Sequence, residues 1–457
     1  MSPGSNFCIA RHTLFPLEKG SGPAWVTPCR VIPGRTRGLK DFVLKTAFRF
    51  YLPLAIVLVL GVVSKAAEPK MVQHERSPQT STYVIVNEDQ GFPYSNEISI
   101  YLAGGTDDAP MLTLQSVVDT GGFGSFGGFF ATQRLNSVAN VAAKCLYVSN
   151  SGDNTIASVS LETQQLVGVF SGSATDDGYP NGIGLAVSDN FLYASYTSSN
   201  SIGVFATNPG CGLTFLQDVP AVGLHGGSVT GMALNGALLA VAYGDGSIQS
   251  FNIADGIPVS NDDLQNSSGF AGPLSSSEFT PGNLPSGVDV TRDGSFAIFG
   301  DIASSTVIEV ARVSGGKLQH TMPYNVGVGT DAGSLRLSPD EKLLYIVNNE
   351  SGTVTAAFFD AKSGTVVQGC TSPTLRGFNG RPWFGSLAIR DTSGTGSVLY
   401  VAEFGRKVED HSPDSAIGIL TIAVNGNTCT LSESLNSPEM LNFPGTLSIG
   451  AFPPRPF

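Results

Sequence analysis

The chain has 457 residues, of which 55 are Gly and 27 Pro, while Asp, Glu, Lys and Arg together make up only 14%. Gly and Pro destabilise helix interiors, so this composition excludes a mainly helical protein, and a hydrophobic content of 41% excludes general disorder. The formal net charge of −12 is a blend: residues 1–67 hold nine Lys/Arg against two Asp/Glu, leaving a remainder of −19 that repels phosphate backbones and excludes nucleic acid as a partner.

From the N-terminus, residues 1–34 are Pro/Gly-rich and aperiodic, and read as an irregular leader or an over-called start. Residues 35–67 have the order of a secretory signal peptide. Arg35, Arg37, Lys40, Lys45 and Arg49 precede the apolar run YLPLAIVLVLGVV, and Ser64-Lys65-Ala66 offers small residues for cleavage. Thirteen apolar residues span about 20 Å as a helix, less than the ~30 Å hydrocarbon core of a bilayer. Export to a periplasm or the extracellular space is therefore expected, with the membrane a partner only if this segment stays uncleaved. Residues 68–82 form a short polar linker, and 83–457 the folded body.

Beyond residue 67 four cysteines remain, Cys145, Cys211, Cys370 and Cys429. Four cysteines allow three pairings, and an oxidising compartment would permit two bridges, buried free thiols being the alternative. Cys370 and Cys429 fall in adjacent repeats, which makes them natural neighbours.

Those repeats organise the body. A short apolar strand, a polar turn and a second alternating strand recur seven times: YVIVNEDQGFPYSNEISIYL, LYVSNSGDNTIASVSL, LYASYTSSNSIGVFAT, LLAVAYGDGSIQSFNI, FAIFGDIASSTVIEVARV, LYIVNNESGTVTAAFF and LYVAEFGRKVEDHSPDSAIGILTI. Another strand precedes most copies, as in GIGLAVSDN, VTGMALNGA and GSLRLSPDE, and segments such as QLVGVFSG supply a fourth. Period-two alternation over five or six residues marks half-buried strands. The prediction is an all-β, seven-bladed β-propeller of four-stranded antiparallel blades. The first copy has no room for its innermost strand, and FPGTLSIGAFPP near the C-terminus supplies it, closing the ring and removing a free edge.

The LYVSNSGDNTI and LYIVNNESGTV cores resemble the YVTN-type repeat, and RLSPDEKLLYIVNNESGTVT resembles the lactonase-like seven-bladed propellers, over roughly residues 80–455. The resemblance implies a Pro-Arg-His before the SPDG turn and an Asn-Glu after the next strand. Here Ala332-Gly333-Ser334 fills the first place, and at the second Asn348 is followed by Asn349, with Glu350 one position late. The family's Asn-Arg-Gly in a later blade corresponds to Glu403-Phe404-Gly405. These departures remove charged groups suited to ring opening.

A site assembled from other groups would lie where loops enter the innermost strands and leave the second strands. His225, Glu403 and Arg406 are the candidate catalytic residues there. Tyr243, Asp245, Asp301, Asp331, Glu350, Arg381 and Trp383 are the candidate ligand contacts, Arg381-Pro-Trp383 pairing a guanidinium with an indole suited to carboxylates or sugar faces. His225, flanked by glycines in GLHGGSVTGMAL, is the foremost histidine. The acidic pairs Asp107-Asp108, Asp176-Asp177 and Asp262-Asp263 fit no calcium loop, no histidine cluster suggests a transition metal, and no nucleotide fingerprint occurs, so neither metal nor cofactor is expected. The leading expectation is an exported, monomeric scaffold binding a small polar ligand or an envelope protein through its channel-mouth loops. The alternative is a lactonase- or isomerase-like enzyme acting on a small polar substrate.

Overall fold

The computed structural model describes residues 82–452, except 89, 91–93, 125–136, 141–142, 174–182, 198, 268–284, 302–306, 328–331, 350, 378–385, 391–397, 404–414 and 442–447. The leader, signal segment and linker expected at the N-terminus lie outside the described residues, save Thr82, the linker's last residue, which opens the first strand.

Seven antiparallel sheets account for the described residues, and each is one blade. Blade 1 pairs Ser448–Phe452, Thr82–Asn87, Glu97–Gly105 and Pro110–Asp119, from the innermost strand outward. Blades 2 and 3 run Ser137–Asn140, Cys145–Asn150, Thr155–Ser160, Gln165–Ser171 and Ile183–Val187, Phe191–Tyr196, Ser201–Thr207, Leu213–Pro220. Blade 4 runs Val229–Asn235, Leu238–Tyr243, Ser247–Ala254, Ile257–Ser260, and blade 5 Pro285–Val290, Phe296–Asp301, Val307–Ser314, Lys317–Asn325. Blade 6 comprises Ala332–Leu337, Leu343–Asn348, Thr353–Asp360 and Thr365–Thr371, and blade 7 Leu387–Arg390, Val398–Glu403, Ala416–Asn425 and Thr428–Glu433. Two-residue strands, Gln265–Asn266 and Glu439–Met440, add to blades 4 and 7.

The C-terminal strand closes the ring as the repeat pattern requires. Tyr83 pairs with Phe452 and Asn87 with Ser448, so the N-terminal edge strand is covered along nearly its whole length.

Apolar side chains gather in seven clusters, one at each seam between neighbouring blades. Both faces of every blade are therefore buried, and the second strands read as continuous apolar runs rather than as alternating ones. In blade 7, Leu399 and Val401 pack into the seam with blade 6, while Tyr400 and Ala402 pack into the seam with blade 1. This alternation fixes which way the last residue of each second strand faces.

The four cysteines form two disulfides, Cys145–Cys211 and Cys370–Cys429. Each joins neighbouring blades, the first at the seam of blades 2 and 3 and the second across the outer strands of blades 6 and 7.

Candidate functional site

In an antiparallel meander the ends of the second strands and the beginnings of the innermost strands share one face of the ring. There the chain presents one polar residue per blade, at the position that follows the last apolar pair of the second strand. Val401 and Glu403 face blade 6 together, so the carboxyl of Glu403 caps the seam between blades 6 and 7. The same register selects Asn150, Tyr196, Tyr243, Asp301 and Asn348 in blades 2 to 6. In blade 1 it selects Glu88, because Val84 and Val86 face blade 7 and Ile85 faces blade 2.

The members from blades 1, 2, 4 and 6 are internally satisfied, as buried polar groups generally are, whereas the buried Tyr196 hydroxyl of blade 3 has no partner among the described residues. Asn150 Oδ1 accepts hydrogen bonds from Asn96 Nδ2 at 3.0 Å and Thr120 Oγ1 at 2.7 Å. Tyr243 donates its hydroxyl to Gln249 Oε1 at 2.6 Å, and Asn348 Nδ2 donates to Thr353 and Thr355 at 3.0 and 2.8 Å. Glu88 accepts from Ser99 Oγ and, at 3.4 Å, from Gln90 Nε2. Burial pushes the Glu88 carboxyl up to about 7 against those two donors, and the nearby charge of Glu97 adds to the rise.

Glu403 differs. It is only 6% exposed, yet among the described residues neither carboxylate oxygen has a well-formed hydrogen bond, the Gly377 N–H being the nearest donor. The carboxyl lies against Gly377 in the loop leaving blade 6 and against Gly418 in its own blade, each so near that a Cβ there would collide with it. Ala416 and Leu375 line the same two glycines, beside Gly377 and Gly418 respectively. Burial is the main cause that pushes its pKa up to about 8; the charge of Glu433 adds to the rise, and Arg376 and the nearby Gly377 N–H oppose it. The carboxyl is therefore mostly protonated at neutral pH. A neutral carboxyl at a loop-lined rim can act as a general acid and, once ionised, take a proton back.

His225 has another explanation. Its N–H donates to Asp245 Oδ2 at 2.7 Å, and the Gly227 N–H donates to the same oxygen at 2.9 Å. A Cβ on Gly223 or Gly227 would meet the Asp245 carboxylate, and Gly226 has φ +88°. The glycines that make His225 conspicuous in the sequence thus serve the closing of a turn around Asp245. Burial works against that charge, but donors from Ser247, His225 and Gly227 outweigh it and hold the carboxyl below its ordinary range. The His225 side chain is exposed.

The structure brings His225, Tyr243 and Asp245 together at the rim of blade 4 and sets Glu403 on blade 7. These are three blades apart, the largest separation that a ring of seven allows. Asp301 is described only in its backbone, at the end of the second strand of blade 5. Asp331, Glu350, Arg381, Trp383 and Arg406 lie outside the described residues. Ala332, Gly333 and Ser334 open the buried innermost strand of blade 6, where the family pattern would place its Arg and His. Among the described residues no group of three or more His, Cys, Asp or Glu could hold a metal.

Sequence reasoning missed Glu88, Arg376 and Glu433. Glu88 could have been found by aligning VIVNE with LYVAE according to seam-facing positions rather than by the Asn of the repeat.

Comparison with known proteins agrees with this architecture. Residues 212–450 match the family model "Lactonase, 7-bladed beta-propeller", which spans the outer strand of blade 3, blades 4 to 7 and most of the closing strand. Among solved structures, a putative 6-phosphogluconolactonase from Bacteroides fragilis is 16% identical, with a TM-score of 0.58 over 82% of this chain and 99% of its own. A protein from Lactobacillus plantarum gives 15% and 0.58 over 81% and 99% of the two chains. A functionally unknown protein from Desulfotomaculum acetoxidans gives 15% and 0.55 over 80% and 98%. At these identities the likeness is one of fold. None of the curated proteins matches. Seven blades, a C-terminal closing strand and a family match over half of the residues lead to one assignment: the chain belongs to the lactonase family of seven-bladed β-propellers.

Proposed function

We propose that the protein is a hydrolase of the lactonase type, opening the ring of a small polar lactone, with Glu403 as its acid–base group. The observation that carries this reading is the Glu403 carboxyl, buried at the loop rim with no well-formed hydrogen bond among the described residues. Family membership favours the enzyme over a pure binding scaffold. In the reaction, water oxygen bonds to the acyl carbon and the ring C–O bond breaks. The proton on Glu403 passes to the departing ring oxygen, and the carboxylate recovers a proton from the attacking water. The missing Arg and His of the family pattern mean that substrate orientation falls to other residues, for which Arg381 and Trp383 have suitable chemistry.

Turnover of a lactone panel by wild type, Glu403→Gln and His225→Ala tests the proposal. Glu403→Gln is expected to lose on the order of 100-fold or more in rate, as removal of a general acid does. His225→Ala, three blades away, should match wild type. Wild-type turnover by Glu403→Gln would refute the role, and no turnover of any lactone by wild type would favour the ligand-binding scaffold.

The two disulfides support a further part of the reading, that the propeller works in an oxidising, exported setting. N-terminal sequencing of the mature protein should then begin near Ala67, and an intact apolar segment would refute cleavage.

A further inference from the structure

The loop that leaves blade 6 is fastened at both ends of its first turn. On the blade 6 side, the Leu375 N–H donates to Gly352 O at 2.8 Å, and the Ser372 N–H donates to Val354 O at 2.9 Å. On the blade 7 side, Arg376 Nε lies 3.2 Å from Glu433 Oε1, and the Arg376 N–H donates to Glu433 Oε2 at 3.1 Å. The guanidinium also donates to Ser434 O. Glu433 is itself anchored by Ser437 Oγ, which donates to Oε1 at 2.6 Å. Arg376 directly precedes Gly377, the loop residue that lies against the Glu403 carboxyl. Its ion pair is half-buried, with Glu433 only 9% exposed, so solvent screens it less than it would a surface pair.

We infer that Arg376 and Glu433 are a positioning pair for Glu403: fastened to each other, they hold the loop over its carboxyl and set one cation and one anion beside it, so that the pair governs when Glu403 gives up its proton. The pair touches no substrate. It matters to catalysis only through Glu403 and so rests on the function proposed above, whereas its test does not. Among the described residues, Arg376 and Glu433 are the charged groups that act on Glu403, and Gly377 and Gly418 lie against its carboxyl.

The experiment follows the ionisation of Glu403 by the infrared band of its protonated carboxyl, identified as the band that Glu403→Gln removes. Glu433→Gln takes away the anion and leaves the cation, so the midpoint should fall by about one pH unit or more. Arg376→Met takes away the cation and leaves the anion, so the midpoint should rise by a similar amount. Arg376→Lys keeps the charge and should stay close to wild type. If the contact merely clamped the loop, both neutral variants would admit water to Glu403 and both midpoints would fall. Opposite shifts support the inference; shifts in the same direction, or none, overturn it. Opposite shifts in a protein that turns over no lactone would sink the lactonase reading and leave the pair standing.

Discussion

Replacing Glu403 by Gln perturbs one buried carboxyl at nearly constant volume, and the structure sets the magnitude. A carboxyl with an ordinary pKa of 4.5 in the unfolded chain and about 8 in the folded protein binds its proton more tightly when folded. The stability it contributes is fully present below pH 4.5 and is lost as pH rises towards 8. Each pH unit that separates the folded from the unfolded pKa corresponds to about 1.36 kcal/mol, so the whole loss is on the order of 5 kcal/mol, of which about 4 falls between pH 5 and pH 9. Gln does not ionise, and whatever its amide costs at this buried position is the same at every pH. The difference in stability between Glu403→Gln and wild type should therefore move in favour of Gln by roughly 4 kcal/mol across that range. With an unfolding entropy of about 2.1 cal/mol/K per residue, the propeller gains roughly 0.8 kcal/mol/K, so the relative melting temperature should change by about 5 °C. Calorimetric melts of both proteins at pH 5, 7 and 9 measure it directly. A constant offset between the two melting temperatures would refute the reasoning, because it would mean that Glu403 ionises as an ordinary surface carboxylate does.

Two other outcomes follow from the scaffold. The Cys370–Cys429 bridge closes a loop with a sequence separation of 59 residues, and in the chain-entropy description Cys370→Ser with Cys429→Ser should lose about 4 kcal/mol, read as a lower urea midpoint under oxidising conditions, with only the Cys145–Cys211 contribution left for reductant to remove. Deleting the residues from Ser448 onward uncovers the edge of Thr82–Asn87, and light scattering should show a monomer giving way to oligomers; an unchanged monomer would mean that the closing strand is dispensable.

The blades were legible because each repeat carries its own apolar runs and turns, and even the closing strand could be identified from a gap in blade 1 and a surplus at the C-terminus. The site was legible only in part. Glu403 could be picked out as a polar residue leaving a second strand, since that follows from local pattern. That its carboxyl is buried depends on Gly377, which arrives in the loop leaving another blade, and no local pattern reports a contact between blades. Glu88 was passed over because the Asn before it matches the repeat, whereas the face it occupies depends on Val84 and Val86 packing towards blade 7. His225 shows the opposite error: its glycines are a genuine signal, but they answer to Asp245 twenty residues further along.

The closing strand also sets a schedule for biosynthesis. Thr82–Asn87 leaves the ribosome more than 350 residues before Ser448–Phe452, its partner in blade 1. At about 5–20 residues per second, the wait is roughly 20 to 70 seconds. Throughout it the nascent chain carries an open, apolar edge that nothing yet translated can cover, and blades 2 to 7 can form while blade 1 cannot. The first blade to be translated is thus the last to be finished, and any chaperone or holding factor this chain needs would be needed there.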